Sequence, residues 1–575
     1  MQGDPAGLAA VARGGALNLA GAAVSAAATL ALTVLVTRQF SRPVAGAFFA
    51  ATSLFLIVEA IANLGAYNGA IYFIARLRSL HAESRIPAIL RAAIIPVAVS
   101  SLAASAAMLI FAEPLAHGLL GGHLSHGAGP VAVARALRAL AATLPFAALA
   151  DTFLGASRGY RDMRPTVFID RIGRSCLQLI GVGSAVLAGS AALLAPLWAL
   201  PYVPAAVLAC LALRRVYRRR QRLIALPSAP AALAGPDRAV SAARPASAVT
   251  AAGRPGALIG ERIQHSADVR TVGAAGFWRF TAPRSLASVA QIVIQRLDIV
   301  LVGIMRGPVE AAIYTAATRF LVVGQLGNAA ISMAAQPQFT HLFAVRDRHG
   351  ANAVYQATTA WLIVLTWPLY LLAVIFGPDV LAVFGHSYRA GTSVMVILGV
   401  TMLVATGCGQ VDMVLTTAGR SSWSLANGLL AVSVNVGVDL ALIPRYGITG
   451  AAIGWAAAIA ITNLLPLAQV AAVIRVHPFG RGTALACLLT TLSFGVIPLA
   501  LRLAAGGSVL VAGISLAAGC AVMAAGLWRF RGALQLAVLP GLAGAGGRAG
   551  AGGRRPERRG NNDRRRSAHA GGHRK

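Results

Sequence analysis

The stretch Ala16-Leu-Asn-Leu-Ala-Gly-Ala-Ala-Val-Ser-Ala-Ala-Ala-Thr-Leu-Ala-Leu-Thr-Val-Leu-Val36 contains no charged side chain and no alternation of polar with apolar residues. As a helix it rises far enough to cross about 30 Å of hydrocarbon. A strand of a membrane barrel would instead show about ten alternating residues bounded by turns. Residues 453–474 read the same way, and comparable runs recur along the chain. They predict spans at 14–36, 44–66, 90–112, 131–154, 172–190, 192–213, 277–304, 311–335, 355–377, 393–416, 422–443, 449–474, 483–503 and 507–528. The expected fold is therefore an all-α integral membrane protein with about fourteen transmembrane helices.

Composition agrees. Of the 575 residues, 57% are hydrophobic and 12% charged, about half the charged share of an average soluble domain. The net charge of +32 would suggest nucleic acid were it spread over a soluble surface. It is concentrated in the connector after Arg214, in the tail after Arg548 and in alternate short loops, the distribution of the positive-inside rule, so no nucleic-acid partner is expected. Cys176, Cys210, Cys408, Cys487 and Cys520 are scattered singly, with no metal-ligand spacing.

Arg76, Arg78, Arg85 and Arg91 between spans 2 and 3, and Arg158, Arg161, Arg164, Arg171 and Arg174 between spans 4 and 5, set the orientation. Both termini and the connector are expected in the cytoplasm, with the chain in the inner or plasma membrane. Five segments follow: a six-helix bundle over 1–213, an Arg/Pro/Ala-rich cytoplasmic linker over 214–274, a second six-helix bundle over 275–478, two additional helices over 479–530, and a disordered basic tail over 531–575. The linker and tail should attract anionic membrane lipids.

An internal echo supports two pseudo-symmetric bundles. Pro43-Val-Ala-Gly-Ala-Phe-Phe-Ala-Ala-Thr52 opens span 2, and Pro308-Val-Glu-Ala-Ala-Ile-Tyr-Thr-Ala-Ala317 opens span 8. Ala150-Asp-Thr-Phe-Leu154 and Val411-Asp-Met-Val-Leu415 form a weaker pair in spans 4 and 10. Both run the same way across the membrane, so the repeat is parallel.

Polar groups within spans are costly and face a bundle interior or a solvated cavity. Arg284, Ser288, Gln291, Gln295 and Asp298 follow steps of three and four, which places them on one face of span 7. With both signs of charge on that face, a substrate cavity is favoured over interhelical hydrogen bonding. Arg319 reaches either the same cavity or the membrane interface. Arg296 lies off the stripe, and pairing with a neighbouring helix is at least as good a reading for it as binding. Glu59, Asp151 and Asp412 are candidates for ion coupling, the last two at matching positions of the repeat; pairing with nearby loop arginines is the alternative. Asn427, Asn435 and Asp439 share a face of span 11 and read as helix packing. The sequence has no catalytic constellation, metal cluster, cofactor motif or nucleotide-binding domain, which points to a transporter and not an enzyme.

In order and spacing, four stretches resemble the polysaccharide flippases of the multidrug/oligosaccharidyl-lipid/polysaccharide exporter superfamily: Thr37-Arg-Gln-Phe-Ser-Arg-Pro-Val-Ala-Gly46, Gln295-Arg-Leu-Asp-Ile-Val-Leu-Val-Gly303, Ile313-Tyr-Thr-Ala-Ala-Thr-Arg319 and Ile443-Pro-Arg-Tyr-Gly-Ile-Thr-Gly-Ala-Ala452. The resemblance implies two lobes around a central cavity, often followed by two further helices. It implies a polyprenyl-diphosphate-linked oligosaccharide as substrate, with a polysaccharide polymerase or glycosyltransferases as further partners. It also points to Arg284 and Arg319 as the cationic cavity residues. A multidrug antiporter or a lipid II flippase of the same fold are the alternatives, and a membrane-embedded glycosyltransferase is one from another class.

Overall fold

The computed structural model describes residues 5–120, 129–225 and 273–530. The tail from 531 and most of the expected linker lie outside the described residues. The described secondary structure is helical throughout. Twelve helices are long and apolar enough to cross a membrane. Two more complete the expected fourteen. One is Pro308–Ala344, and the other is Ser175–Leu187, preceded by a π-helical stretch over Thr166–Arg174.

The spanning helices are α1 (Pro5–Gln39), α2 (Arg42–Ala62), α3 (Ile86–Ile110), α4 (Pro130–Gly159), α5 (Ser175–Leu187) and α6 (Tyr202–Ala225) in the first lobe. The second lobe holds α7 (Ala274–Arg306), α8 (Pro308–Ala344), α9 (Arg348–Ile375), α10 (Thr392–Gly407), α11 (Ser421–Tyr446) and α12 (Ile448–Gln469). The last pair is α13, built of Arg481–Thr491 and Ile497–Ala505 around a π-helical turn, and α14 (Val509–Arg529). They dock on α9 through Ala360, Ile363, Leu489, Phe494 and Met523.

Several boundaries differ from expectation, and two of them change the reading of the chain. Helix α6 runs on to Ala225, so residues 214–225, counted with the linker from sequence, are helical; arginines whose stems cover apolar neighbours do not stop a helix. Span 2 does not continue through residue 66. Leu64 and Gly65 have φ of 52° and 64°, which ends α2, and a separate helix, Ala66–Ser79, follows.

The lobes meet at both ends. At the end carrying the loop between α1 and α2, Arg38 donates through Nε to the Val383 carbonyl (2.7 Å) and through Nη2 to the Ala382 carbonyl (2.9 Å). Close by, Gly46 of α2 lies against the backbone of Pro308 in α8, and a Cβ there would fall on the Pro308 carbonyl. At the arginine-rich end, Gly65 abuts Ser285 of α7, and Tyr72 stacks on Phe280 at 3.9 Å. Gly46→Val is expected to destabilise the protein by about 1–3 kcal/mol, because the backbones must separate. Gly118→Ala, whose Cβ would meet nothing, serves as the control. A melting temperature in detergent for Gly46→Val equal to that of the control would refute the crossing.

Candidate functional site

Three polar cavities lie among the helices of the two lobes. The first, of about 250 Å³, is lined by Ser25, Thr29, Thr33, Thr52, Arg174, Gln178, Trp198 and Tyr202 of the first lobe and by Arg296 and Arg319 of the second. Arg174 donates to Asp170 (2.7 Å), to Gln178 (3.1 Å) and to the Tyr202 hydroxyl (3.4 Å), so its charge is balanced. Arg296 and Arg319 have no carboxylate partner among the described residues. Arg319 is only 9% exposed, and its Nε has no hydrogen-bond partner. The two cations lie near enough to repel each other. Burying like charges without a counterion costs several kcal/mol per ion, and an anion in this cavity would offset that cost.

The second cavity, of about 560 Å³, lies between the lobes and is lined by Glu59, Asn63, Tyr67, Asn68, Asp151, Arg158, Asp170, Ser288 and Gln291. Asn68 donates to the Ser288 hydroxyl (3.0 Å). Arg158 donates to Thr166 (3.0 Å) and to the Tyr67 hydroxyl. Glu59 Oε1 is buried without a partner. The third cavity, of about 630 Å³, belongs to the second lobe and is lined by Gln291, Gln295, Gln325, Asn328, Ser332, Gln410, Asp412, Thr416, Trp455 and Asn463. Asp412 accepts from the Ser424 hydroxyl (2.5 Å). Gln291 borders both of these cavities.

The span 7 stripe is therefore divided. Arg284 is exposed, lies over the Phe280 ring at 3.8 Å and donates to the Phe280 carbonyl; it lines none of the three cavities. Ser288, Gln291 and Gln295 line cavities. Asp298 is 2% exposed and faces neighbouring helices, lining none of the three cavities. A single helical face meets different neighbours along its length, so even spacing does not imply one shared environment. The coupling candidates divide too: Glu59 and Asp151 share the interlobe cavity, while Asp412 lies in the second lobe's own.

Arg296 and Asp298 are two residues apart and thus about 200° apart around α7. Arg296 turns to the first lobe, and Asp298 turns to α8 and α11. There the Tyr314 hydroxyl donates to Asp298 Oδ2 (2.7 Å) and Asn435 donates to Asp439 Oδ2 (3.2 Å). The two carboxyls lie close to each other in this packing. Asp298 Oδ1, Asp439 Oδ1 and Asn435 Oδ1 are buried without partners. Gly454 lets α12 close over the group, since a Cβ there would strike Asp439 Oδ1. Two carboxylates cannot share a dry site with both ionised and nothing between them. The arrangement calls for one proton or one monovalent cation. From spacing alone Asp439 reads as packing, and for Arg296 pairing with a neighbouring helix is at least as good a reading as binding; the fold places Asp439 beside Asp298 and Arg296 in one cavity with Arg319.

This fold defines a class, a two-lobed helical membrane protein with two appended helices. It resembles the solved lipid II flippase MurJ in an inward closed conformation, with a TM-score of 0.62, 13% identity, and coverage of 88% of this chain and 97% of that one. It also resembles an inward-facing multidrug resistance transporter of the MATE family, at TM-score 0.55 and 15% identity over 79% of this chain and 96% of the other. The family described as MatE matches residues 283–440, from α7 into α11. A probable flippase, AglR of Haloferax volcanii, is 27% identical over 188 residues, 32% of this chain. The matched region spans 39% of that relative's length. The likeness to these two solved structures is one of fold, and the MatE match is confined to the second lobe.

Proposed function

We propose that the protein is a flippase that carries a polyprenyl-diphosphate-linked oligosaccharide from the cytoplasmic to the outer leaflet by alternating access. The observation that carries this reading is the pair of unpaired arginines, Arg296 and Arg319, set into a polar and aromatic cavity between the lobes. Guanidinium groups bind phosphate oxygens in two places at once and offset the desolvation of a diphosphate. A drug antiporter that takes cationic compounds would be repelled there. Arg284, exposed nearer the arginine-rich end, suits first capture, with Ser288, Gln291 and Gln295 lining the path beyond it. The Asp298–Asp439 pair is the proposed coupling site, with Glu59, Asp151 and Asp412 bordering the water-filled paths. Transport rather than catalysis follows from the same cavities, and a polymerase or glycosyltransferases would hand over and receive the substrate.

The lipid II reading shares the diphosphate, so the sugar separates the two. Loss of surface polysaccharide with intact peptidoglycan in a deletion strain supports the oligosaccharide substrate; lysis with normal polysaccharide supports lipid II. Orientation is tested with Ser247→Cys and Ser567→Cys. Both should react with a membrane-impermeant thiol reagent only after the cytoplasmic face is opened, and labelling in intact cells would invert the proposed direction.

A further inference from the structure

We infer that the arginine-rich end of α6 and the loop after α4 form a binding site for the headgroup of one anionic phospholipid. The site lies outside the transport cavities. It is a pocket of about 710 Å³ lined by Arg164, Phe168, Ile169, Ala212, Arg215, Arg218, Arg219 and Arg222. Arg215, Arg218, Arg219 and Arg222 follow steps of three, four and seven, so they form one face of α6. All four are exposed, as is Arg164, and none has a carboxylate partner among the described residues. The carboxylate lining the pocket, Asp162, accepts from the Arg164 backbone N–H (3.1 Å).

The same face continues into the membrane. Leu208 and Leu211 precede Arg215 by seven and four residues and are 51% and 50% exposed, and Phe168 beside them is 55% exposed. The basic half thus ends where an apolar wall begins, which is the chemistry of a headgroup joined to acyl chains. Away from the pocket α6 is fixed to the protein, with Leu213 buried and Tyr217 packed against the cluster of Phe73, Ile86 and Tyr160, and Val216 bridges that cluster and the pocket. The stripe is therefore held in place for a ligand. Like charges this close repel, and a phosphodiester among them relieves that repulsion, each arginine near an anionic surface adding about fivefold in affinity. A free anion would use the arginines but leave the apolar wall idle. The pocket also holds Pro165 and Ile169, at the start of the π-helical stretch that carries Asp170 and Arg174, so a bound lipid would brace that segment.

The test is a titration of the purified full chain in neutral detergent with phosphatidylglycerol or phosphatidylcholine, read by native mass spectrometry. The parent is expected to retain one phosphatidylglycerol in preference to phosphatidylcholine. Arg215→Gln/Arg218→Gln/Arg219→Gln/Arg222→Gln should weaken that retention on the order of several hundredfold. The tail variant Arg554→Gln/Arg555→Gln/Arg558→Gln/Arg559→Gln, which removes as many charges elsewhere, should leave it unchanged. If the stripe variant fails to fold, Arg164→Gln/Arg219→Gln is expected to lower retention about 25-fold. Parental retention by a folded stripe variant, equal loss in the tail variant, or displacement of the lipid by inorganic phosphate would each overturn the site.

Discussion

Replacing Arg319 by methionine is expected to raise the melting temperature of the purified protein while abolishing transport. A buried, unpaired guanidinium costs stability, and an apolar side chain of similar volume in its place stabilises by about 1–4 kcal/mol in comparable sites. Arg319 is 9% exposed and its Nε has no partner, so it fits that case. On the proposed function, binding the diphosphate offsets that cost. Charge-assisted hydrogen bonds to a diphosphate contribute about 1.5–3 kcal/mol each, so Arg319→Ala should reduce substrate affinity by about ten- to a hundredfold. Arg319→Lys should recover part of it, because a point charge lacks the planar fork. Arg296→Ala is expected to behave like Arg319→Ala, and the double variant to lose less than the sum, since both meet one ligand. A fall in melting temperature for Arg319→Met, with transport retained, would make the residue structural.

The second large effect concerns the buried carboxyls. Asp298 and Asp439 are 2% and 0% exposed, with three orphaned oxygens facing one another across α7 and α11. In the proposed coupling role, the proton or cation that neutralises them binds or leaves as the surrounding helices shift, which links the ion to the conformational cycle. Asp298→Asn/Asp439→Asn removes both charges at nearly constant volume. Coupling energies of this kind are typically about 1–3 kcal/mol, so the gradient-driven rate should fall about five- to a hundredfold in vesicles with imposed sodium or proton gradients. The rate without a gradient should survive. An undiminished response to both gradients would remove the pair from coupling and return attention to Glu59 and Asp151, which share a cavity.

The helices and their number were legible because hydrocarbon demands long uncharged segments, and that demand is written residue by residue. The site was legible in part. Arg319 was singled out for its position inside a span, and it does enter a cavity. Arg296 leaves the stripe on α7, so pairing with a neighbouring helix reads at least as well for it as binding, yet leaving the stripe is what turns it toward the first lobe. Asp298 was read with its stripe, although its partner, Asp439, lies 141 positions further along the chain. Helical spacing fixes which residues share a face, and it carries no information about which helix that face meets. The break at Leu64 and Gly65 was missed for a related reason: an Asn-Leu-Gly within an apolar run does not announce that the backbone will adopt positive φ.

The central claim is that the interlobe arginines bind a diphosphate. It is tested most directly by reconstituting the parent and the Arg296→Ala/Arg319→Ala variant into liposomes and measuring translocation of a fluorescent polyprenyl-diphosphate glycolipid. The account predicts rapid translocation by the parent, loss of at least about tenfold in the variant, and no translocation by either of the same lipid bearing a neutral linkage. Equal rates for parent and folded variant, or equal transport of the neutral lipid, would contradict it.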